Sequence, residues 1–348
     1  MSALAEMPAL GEIVAGRYRL DAVVGAGAMG CVFKAEHVNM GKTVALKMLS
    51  MAHPDEDALR RFRLEAKLAS QLSHPNIVAI TDFDVDHKNR PFIVMDYLRG
   101  QSLERVLRDQ QVMPVERLVP VITQVCRALH YAHKSGLVHR DIKPSNLMLV
   151  ERGGERDVPM VVDFGLVDVA LDNEETKASA KTVGSPKYMS PEQCKGMKAD
   201  ARSDVYSLGC VMYKCLTGVV PFDGESVRGI FEQHVLDEPK SFSEVDVLNK
   251  TPSSVEAVVM KALRKQPGER QQDMEALAQE LTHAMTKRSV LDEVNLRDLS
   301  RQSSFVNTQQ IRKFKAESSP FGMVTLVAVA VVALFLYLYQ AFGTRMPQ

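Results

Sequence analysis

Apolar and polar positions alternate along the first hundred residues in a way that predicts several β-strands. The strand-like runs are 18–24, 31–36, 42–47, 77–80 and 91–95. Between the third and fourth runs, apolar residues instead recur with helical spacing from Asp55 to about Leu72. The pattern therefore predicts a β-rich N-terminal part that contains one helix.

The next part of the chain has a mostly helical pattern. Residues 102–108 and 114–134 are amphipathic, and Ser135-Gly136 supplies a C-cap for the second of these helices. Two short apolar runs, 147–150 and 159–162, flank a Gly-Gly pair and predict a hairpin. A β-rich part followed by a helical part is an α+β arrangement.

The C-terminal part of the chain changes character twice. Residues 286–319 are polar and are expected to form a linker, whereas 320–342 are apolar, with no charged residue between Glu317 and Arg345. About 20 apolar residues cross a bilayer core, so the second stretch is predicted to be a transmembrane helix. Three basic residues stand shortly before it and one after it, which predicts that the preceding chain lies on the cytoplasmic side of an inner membrane. Residues 343–348 would be a short distal tail.

The overall composition narrows the classes of function. The 348 residues include 43 basic and 43 acidic side chains, so the formal net charge is zero. Nucleic-acid binding usually leaves a basic footprint, so nucleic acid is not expected to be a partner. The five cysteines form no C-x-x-C pair, which favours a reducing compartment without structural zinc. The N-terminus has no signal-peptide core, and residues 1–17 are expected to be a loose leader.

Candidate chemistry is concentrated in the stretch H-R-D-I-K-P-S-N, which begins at His139. Its Asp141 carboxylate can accept a proton from an attacking hydroxyl. The Lys143 ammonium can neutralise a transferring phosphoryl group, and the Asn146 amide oxygen is a hard ligand suited to Mg²⁺. The proline between them disfavours a helix, so a rigid loop is expected. Asp163 opens an Asp-Phe-Gly triplet 17 residues after Asn146, where a second metal-binding carboxylate would be needed.

A glycine-rich loop lies between the first two predicted strands. Its candidate nucleotide-binding residues are Gly25, Ala26, Gly27, Ala28, Met29 and Gly30. The alternative, a dinucleotide-binding turn, needs a helix directly after the glycines and an acidic residue about 20 positions later. Here a strand follows, and that region holds Leu49, Ser50 and Met51. The loop is therefore expected to join two antiparallel strands and to place its backbone amides over phosphates, with Val32 packed on a base.

Lys47 ends an apolar strand and is a candidate for contact with the nucleotide phosphates. Such a lysine can also be a solvated strand end. The helix between Asp55 and Leu72 favours the first interpretation, because Glu65 lies near the edge of its apolar face. We expect Glu65 to pair with Lys47 and to hold it in place. Glu65 as a plain surface charge is the alternative.

These motifs together resemble a eukaryotic-like, Hanks-type serine/threonine protein kinase of the bacterial sort, from about Tyr18 to about Ala284. The residues that carry the resemblance are the glycine loop, Lys47, Glu65, 139–146, 163–165, Ser190-Pro191-Glu192, 204–209 and Arg270. The resemblance implies an α+β, bilobal protein-kinase fold with a β-rich N-lobe and an α-helical C-lobe, to which one C-terminal transmembrane helix is added. The kinase domain would cover 18–285, with the N-lobe at 18–98 and the C-lobe at 100–285.

The resemblance also implies roles for individual residues. Asp141 would orient the substrate hydroxyl as the base, Lys143 would contact the γ-phosphate of ATP, and Asn146 and Asp163 would hold Mg²⁺ or Mn²⁺. Lys47 and Glu65 would complete the catalytic set. The adenine would lie between the lobes. Its expected neighbours are Val32, Ala45, Met95, Asp96 and Leu98.

Structural and regulatory roles follow from the same resemblance. Asp204 would brace the catalytic loop and Arg270 would pair with Glu192, while Ser190 replaces a usual alanine in what is expected to be a tolerant surface position. The polar segment between Gly165 and Gly184 resembles an activation loop. A phosphate there could pair with Arg140. The candidate phosphosites are Thr176, Ser179 and Thr182.

The expected activity is transfer of the γ-phosphoryl of ATP to Ser/Thr hydroxyls of protein substrates, together with autophosphorylation. The predicted partners are those protein substrates, the membrane and, through alanines in the span, a second copy of the chain as a homodimer. A catalytically weak pseudokinase scaffold and a small-molecule kinase of related fold are the alternatives. The segment that ends in Ser190-Pro191-Glu192 favours protein substrates.

Overall fold

The structure is a computed structural model that describes residues 8–27, 30–49, 56–164, 186–245 and 251–286. Its strands are β1 (Ile13–Val14), β2 (Tyr18–Gly27), β3 (Gly30–His37), β4 (Lys42–Leu49), β5 (Ile80–Val85), β6 (Pro91–Asp96), β7 (Gly100–Ser102), β8 (Leu147–Arg152) and β9 (Glu155–Val161). Its α-helices are α1 (Glu56–Ser70), α2 (Leu103–Gln110), α3 (Val115–Lys134), α4 (Pro191–Cys194), α5 (Ala201–Thr217), α6 (Val227–Leu236), α7 (Ser253–Ala262) and α8 (274–286). Most strands precede residue 97 and most helices follow it, which confirms the predicted two lobes.

The N-lobe is a six-stranded antiparallel sheet with the order β1-β2-β3-β4-β6-β5. One face of the sheet buries its own core, and the other face packs against α1 through Phe62 and Ala66. In the centre of the sheet Val32 pairs with Lys47, and Lys47 pairs with Ile93. This register places Lys47 beside the strand that leaves the glycine loop.

One predicted strand begins later than expected. The apolar run 77–80 predicted a strand, but β5 starts only at Ile80 and continues through the more polar residues up to Val85. Ile77 instead makes an isolated parallel bridge with Val161, and the Val78 N–H donates to the Val161 carbonyl at 3.0 Å. The run is apolar because it is buried between the lobes, so its hydrophobicity reports burial rather than a place in the N-lobe sheet.

The end of the expected leader is part of the folded lobe. Residues Ile13 and Val14 form β1 against β2, and Val14 is buried. The Glu12 carboxylate accepts a hydrogen bond from Arg90 at 2.9 Å. The stretch looked featureless because two residues are too few to show a period.

The C-lobe is organised around α3 and α5, which share one apolar core. Helix α5 is buried on nearly every side, and its Asp200 and Gly218 caps close its two ends. The predicted hairpin is present as β8 and β9, and β7 adds a third strand to it. The hairpin delivers the 163–164 segment to the base of the N-lobe, next to the 139–146 loop.

Candidate active site

Asp204 holds the backbone of the 139–146 loop. It lies in the first turn of α5 and is fully buried. Its Oδ2 accepts a hydrogen bond from the His139 N–H at 2.8 Å, and its Oδ1 accepts one from the Arg140 N–H at 2.8 Å. His133 Nε2 lies 2.7 Å from Oδ2. Burial alone would raise the pKa of Asp204, but these hydrogen bonds and the nearby histidines lower it, so the carboxylate stays ionised. The predicted bracing role is confirmed.

His139 connects the loop to the segment that carries Asp163. Its ring is buried, its Nδ1 lies 3.3 Å from the Asp141 N–H, and its Nε2 lies 2.9 Å from the Val162 carbonyl. Since Nδ1 accepts from an N–H, the hydrogen-bond network assigns the proton to Nε2. The ring also contacts Phe164, with centroids 4.7 Å apart. The imidazole therefore sets the spacing between the two acidic segments.

Two polar side chains of the loop converge on the carboxylate of Asp141. Lys143 Nζ donates to Asp141 Oδ2 at 2.7 Å, and Asn146 Nδ2 donates to the same oxygen at 3.2 Å and to the Asp141 carbonyl at 2.8 Å. A short 3-10 turn over Pro144–Asn146 brings the amide back to the aspartate. Ile142 points the other way into the C-lobe core and fixes the loop. This turn explains why Lys143 and Asn146, which follow Asp141 by two and five residues, both reach its carboxylate.

Lys47 pairs with Asp163 rather than with the predicted Glu65. Its Nζ lies 2.9 Å from Asp163 Oδ1, and the lysine is 6% exposed. A buried ammonium is stabilised by the ionised carboxylate that it meets at hydrogen-bond distance. Burial raises the pKa of Asp163, but Lys47 outweighs it and lowers that pKa, with smaller help from His139 and Lys143. Glu65 is half-buried on α1, so its predicted position on a helix is confirmed. Its predicted pairing with Lys47 is wrong, because Lys47 pairs with Asp163.

The donor set of this site suits Mg²⁺. The amide nitrogen of Asn146 donates to Asp141, so the amide oxygen points away from Asp141. Asp163 supplies an ionised carboxylate. Both oxygen types are ligands that Mg²⁺ prefers. The Val162 N–H donates to the Asn146 carbonyl at 3.0 Å. Asn146 and Asp163, which follows Val162, therefore lie at the same end of the β8–β9 hairpin. Within the described ranges no three His, Cys, Asp or Glu side chains could hold a metal by themselves. Asn146 and Asp163 are the residues that would hold a metal here.

The predicted adenine neighbours share one apolar cluster. Ala45 and Met95 are paired in register and buried, and Val32 and Leu98 pack against the same cluster. The Asp96 N–H donates to the Ala79 carbonyl at 3.1 Å, so a base would have to use other backbone groups of 96–98. These hydrophobic residues of the N-lobe thus form one wall of a slot for a planar ring.

The glycine loop joins two antiparallel strands, as predicted. β2 reaches Gly27, β3 begins at Gly30, and these two glycines are paired. Gly30 has φ 134° and a Cβ there would overlap the Met48 carbonyl oxygen, so only glycine fits. Gly25 and Ala26 lie on the exposed end of β2, whereas Ala28 and Met29 lie outside the described residues.

A second anchored segment follows the predicted activation loop. Arg270 and Glu192 form a bidentate ion pair, with Nη1–Oε1 at 2.8 Å and Nη2–Oε2 at 2.9 Å. The predicted pairing is confirmed. Ser190 is fully buried and forms a capping box with Gln193. It therefore lies in the interior and not at a tolerant surface position, because its hydroxyl serves as the N-cap of α4.

Two residues that support the catalytic loop were not predicted from the sequence. His133, on α3, reaches Asp204, and no local pattern marks a lone histidine in a helix for that role. Gln193 donates through Nε2 to the Arg140 carbonyl at 2.9 Å and so links α4 to the catalytic loop. The S-x-x-Q spacing from Ser190 signals the cap, but not the long-range bond.

Several predicted features lie outside the described residues. They include the three candidate phosphosites Thr176, Ser179 and Thr182, the predicted linker 286–319 except for its first residue, the span at 320–342 and the tail. Across residues 8–286, as far as the structure describes them, no helix has both the length and the apolar character needed to cross a bilayer. The phosphosites and the span remain predictions.

Comparison with known proteins identifies the family to which the chain belongs. Residues 18–283 match the family described as protein kinase domain, so the chain belongs to the protein kinase family. Among its relatives, serine/threonine-protein kinase pkn3 of Myxococcus xanthus is 35% identical over 311 residues, which cover 88% of this chain and 56% of that one. A probable serine/threonine-protein kinase PknB of Corynebacterium glutamicum is 39% identical over 279 residues, which cover 77% and 42%.

A solved structure supports the same fold. The crystal structure of the Mycobacterium tuberculosis PknI kinase domain aligns with a TM-score of 0.63 at 28% identity, over 80% of this chain and 100% of that one. The chain spans about half the length of the curated relatives that it matches. The part of this chain that matches the family, residues 18–283, contains the residues that build the site described above.

Proposed function

We propose that this protein is an ATP-dependent serine/threonine protein kinase. The observation that carries the proposal is the convergence of Lys143 and Asn146 on the Asp141 carboxylate, beside the Lys47–Asp163 pair. All four residues whose loss would favour a pseudokinase are therefore present and brought to one site, and nothing favours that alternative. The serine/threonine names of the relatives support the same acceptor class.

The geometry gives Asp141 a defined task. Lys143 and Asn146 both donate to Oδ2, while no hydrogen bond to Oδ1 comes from the described part of the chain. Oδ1 is thus available to accept the proton of a serine or threonine hydroxyl and to aim its oxygen at the γ-phosphoryl. Lys143 lies beside that position and can neutralise charge on the transferring group.

Lys47 and the glycine loop would hold the other phosphates of ATP. Lys47 carries an ammonium on the floor of the cleft, and the backbone of 25–27 and Gly30 lies in the adjacent strands. Asn146 and Asp163 would hold Mg²⁺ or Mn²⁺, which neutralises phosphate charge when bound. The slot around Ala45 and Met95 would hold the base.

The test is phosphorylation by the purified full chain with labelled ATP and Mg²⁺. Asp141→Asn should lower the rate by about 100-fold or more, because a general base contributes about 10²–10⁴-fold. Asp109→Asn is the matched control, since Asp109 is exposed on α2. Label should appear on serine or threonine of protein substrates and of the kinase itself. Equal rates in wild type and Asp141→Asn would contradict the proposal.

The finer parts of the proposal concern regulation and location. Residues 320–342 would tether the kinase to the inner membrane with its catalytic domain in the cytoplasm, as supported by their length and lack of charge. Retention of the full chain in the soluble fraction after lysis would refute the tether. Autophosphorylation would fall on Thr176, Ser179 or Thr182, and a phosphopeptide map of the active protein without label there would refute that part.

A further inference from the structure

An open polar groove lies between α2 and the C-terminal end of α5. It has a volume of about 630 Å³ and belongs to neither the nucleotide cleft nor the catalytic loop. Glu104, Arg108 and Gln111 line one wall, and Lys214 and Val219 line the other. The groove is large enough for several side chains of an extended peptide, within the about 300–1,000 Å³ of common binding clefts.

The groove is connected to the site of chemistry at two points. Lys214 Nζ donates to the Tyr188 hydroxyl at 3.2 Å, and Tyr188 is in the turn that leads into α4. α4 in turn contacts the catalytic loop through Gln193, which bonds the Arg140 carbonyl. On the opposite wall, α2 packs against the turn Pro144–Asn146. A chain lying in the groove is therefore next to the elements that position Asp141.

The charges of the groove favour an acidic ligand. Arg108 is exposed, and no carboxylate of the described residues forms an ion pair with it. The hydrogen-bond partner of Lys214 is the Tyr188 hydroxyl, whose pKa is raised by burial. The Asp223 carboxylate acts on Lys214 only from a distance, because its close ion pair is with Lys187. Glu104 is the one carboxylate in the lining. Two cations against one carboxylate attract aspartate or glutamate and repel lysine or arginine.

We propose that this groove binds an acidic segment of the protein substrate and so selects acceptors that have acidic residues nearby. Arg108 and Lys214 are the specificity-determining residues. This inference rests on the proposed kinase function, because the occupant is taken to be a substrate polypeptide.

Binding and phosphorylation are measured separately on the purified full chain. The probes are two fluorescent peptides with a single threonine, identical except that four aspartates in one are four lysines in the other. Wild type should bind the aspartate peptide about tenfold more tightly by fluorescence anisotropy, and should show the same preference in kcat/KM. The anisotropy measurement needs no phosphoryl transfer, so it tests the groove even if catalysis fails.

Charge reversal identifies the groove as the site. Arg108→Glu should remove the preference for the aspartate peptide, and the double change Arg108→Glu with Lys214→Glu should invert it. Arg105→Glu is the matched control, because Arg105 lies exposed on the same helix but does not line the groove. Lys214→Met, which keeps the apolar stem next to Tyr188, separates the loss of charge from the loss of packing.

The outcomes distinguish the two proposals. Loss of the preference in Arg108→Glu and Lys214→Met, but not in Arg105→Glu, supports the groove. Equal affinity of wild type for the two peptides, or an equal effect of Arg105→Glu, overturns it even if both peptides are phosphorylated. Tight binding of the aspartate peptide without phosphorylation of any polypeptide would support the groove and refute the kinase proposal.

Discussion

At the scale of single residues, the site depends on two carboxylates that stay ionised, of which Asp204 is fully buried and Asp163 is half-buried. Asp204 accepts three hydrogen bonds and Asp163 meets an ammonium, and in both cases these contacts lower a pKa that burial raises. Each carboxylate is therefore stabilised by specific donors and not by solvent. Removing the charge should cost more than removing a surface charge of the same type.

We expect Asp204→Asn to lower both stability and activity. An amide nitrogen in place of one carboxylate oxygen would face N–H donors at His139 or Arg140, and a buried unmatched donor costs about 1–3 kcal/mol. The displaced loop should reduce kcat by about 100-fold, because small misplacements of a catalytic group have effects of that size. Urea unfolding and phosphorylation rates measure the two effects.

The control for this prediction is Asp223→Asn. Asp223 is exposed and pairs with Lys187 at the surface, so its change should alter unfolding by less than about 1 kcal/mol. If Asp204→Asn retained the rate of the control, Asp204 would not position the loop.

At the scale of elements, close backbone approaches decide how the lobes are joined. Gly100 begins β7 and pairs with Val150 of β8, directly after the segment that connects the lobes. A Cβ at this position would overlap the Leu149 carbonyl oxygen. The close approach of β7 to β8 therefore depends on this residue having no side chain.

Gly100→Ala should therefore destabilise the protein by about 1–3 kcal/mol, since the strands must move apart to admit the methyl group. The midpoint of urea unfolding, followed by far-UV circular dichroism, measures the change. Gly268→Ala is the comparison, because a Cβ at Gly268 meets nothing within 4 Å. Matching midpoints for the two variants would show that β7 tolerates the displacement.

At the scale of the whole molecule, one ion pair joins distant parts of the C-lobe. Arg270 is 2% exposed, and its guanidinium holds Glu192 and the carbonyl groups of Arg202, Arg264 and Lys265. Glu192 also accepts from Ser203 at 2.6 Å. Burial raises the pKa of Glu192, but Arg270 and Ser203 outweigh it and lower that pKa below its ordinary value.

The lowered pKa predicts a pH-dependent contribution to stability. The contribution is fully present above the unfolded-state pKa of about 4.3 and is lost as the pH falls through the lower folded-state pKa. At pH 7, Glu192→Gln should therefore be about 3 kcal/mol less stable than wild type. The difference should shrink as the pH falls below about 4.3, because the unfolded chain then takes up a proton at Glu192, and it should be lost once the folded protein is protonated there as well.

Urea titrations at pH 7, 5, 4 and 3 measure this difference. Glu232→Gln is the control, because Glu232 forms an exposed pair with Arg228 on α6 and should change stability by less than about 1 kcal/mol at each pH. A Glu192→Gln difference that stayed constant down to pH 3 would exclude the ionised pair as its source.

The sequence by itself determined the secondary-structure elements and the chemical groups that short-range residue patterns specify. The alternation of β2 to β4, the spacing of α1 and the offsets within 139–146 each predict an element or a chemical group from neighbouring residues. Strand and helix periods and loop motifs are short-range properties, so the sequence carries them directly. The β-rich part, the helical part, the loop and its acidic residues therefore followed from the sequence pattern, whereas their arrangement as two lobes was implied by the resemblance to protein kinases.

Tertiary structure decided which distant groups meet. The sequence contains two carboxylates that Lys47 could pair with, Glu65 and Asp163. Only the folded structure shows that Lys47 pairs with Asp163 and not with Glu65. Likewise, the burial of Ser190 and the groove between α2 and α5 depend on elements far apart in the chain. Electrostatic pairing and burial are set by distances between residues remote in sequence, and a local pattern does not contain those distances.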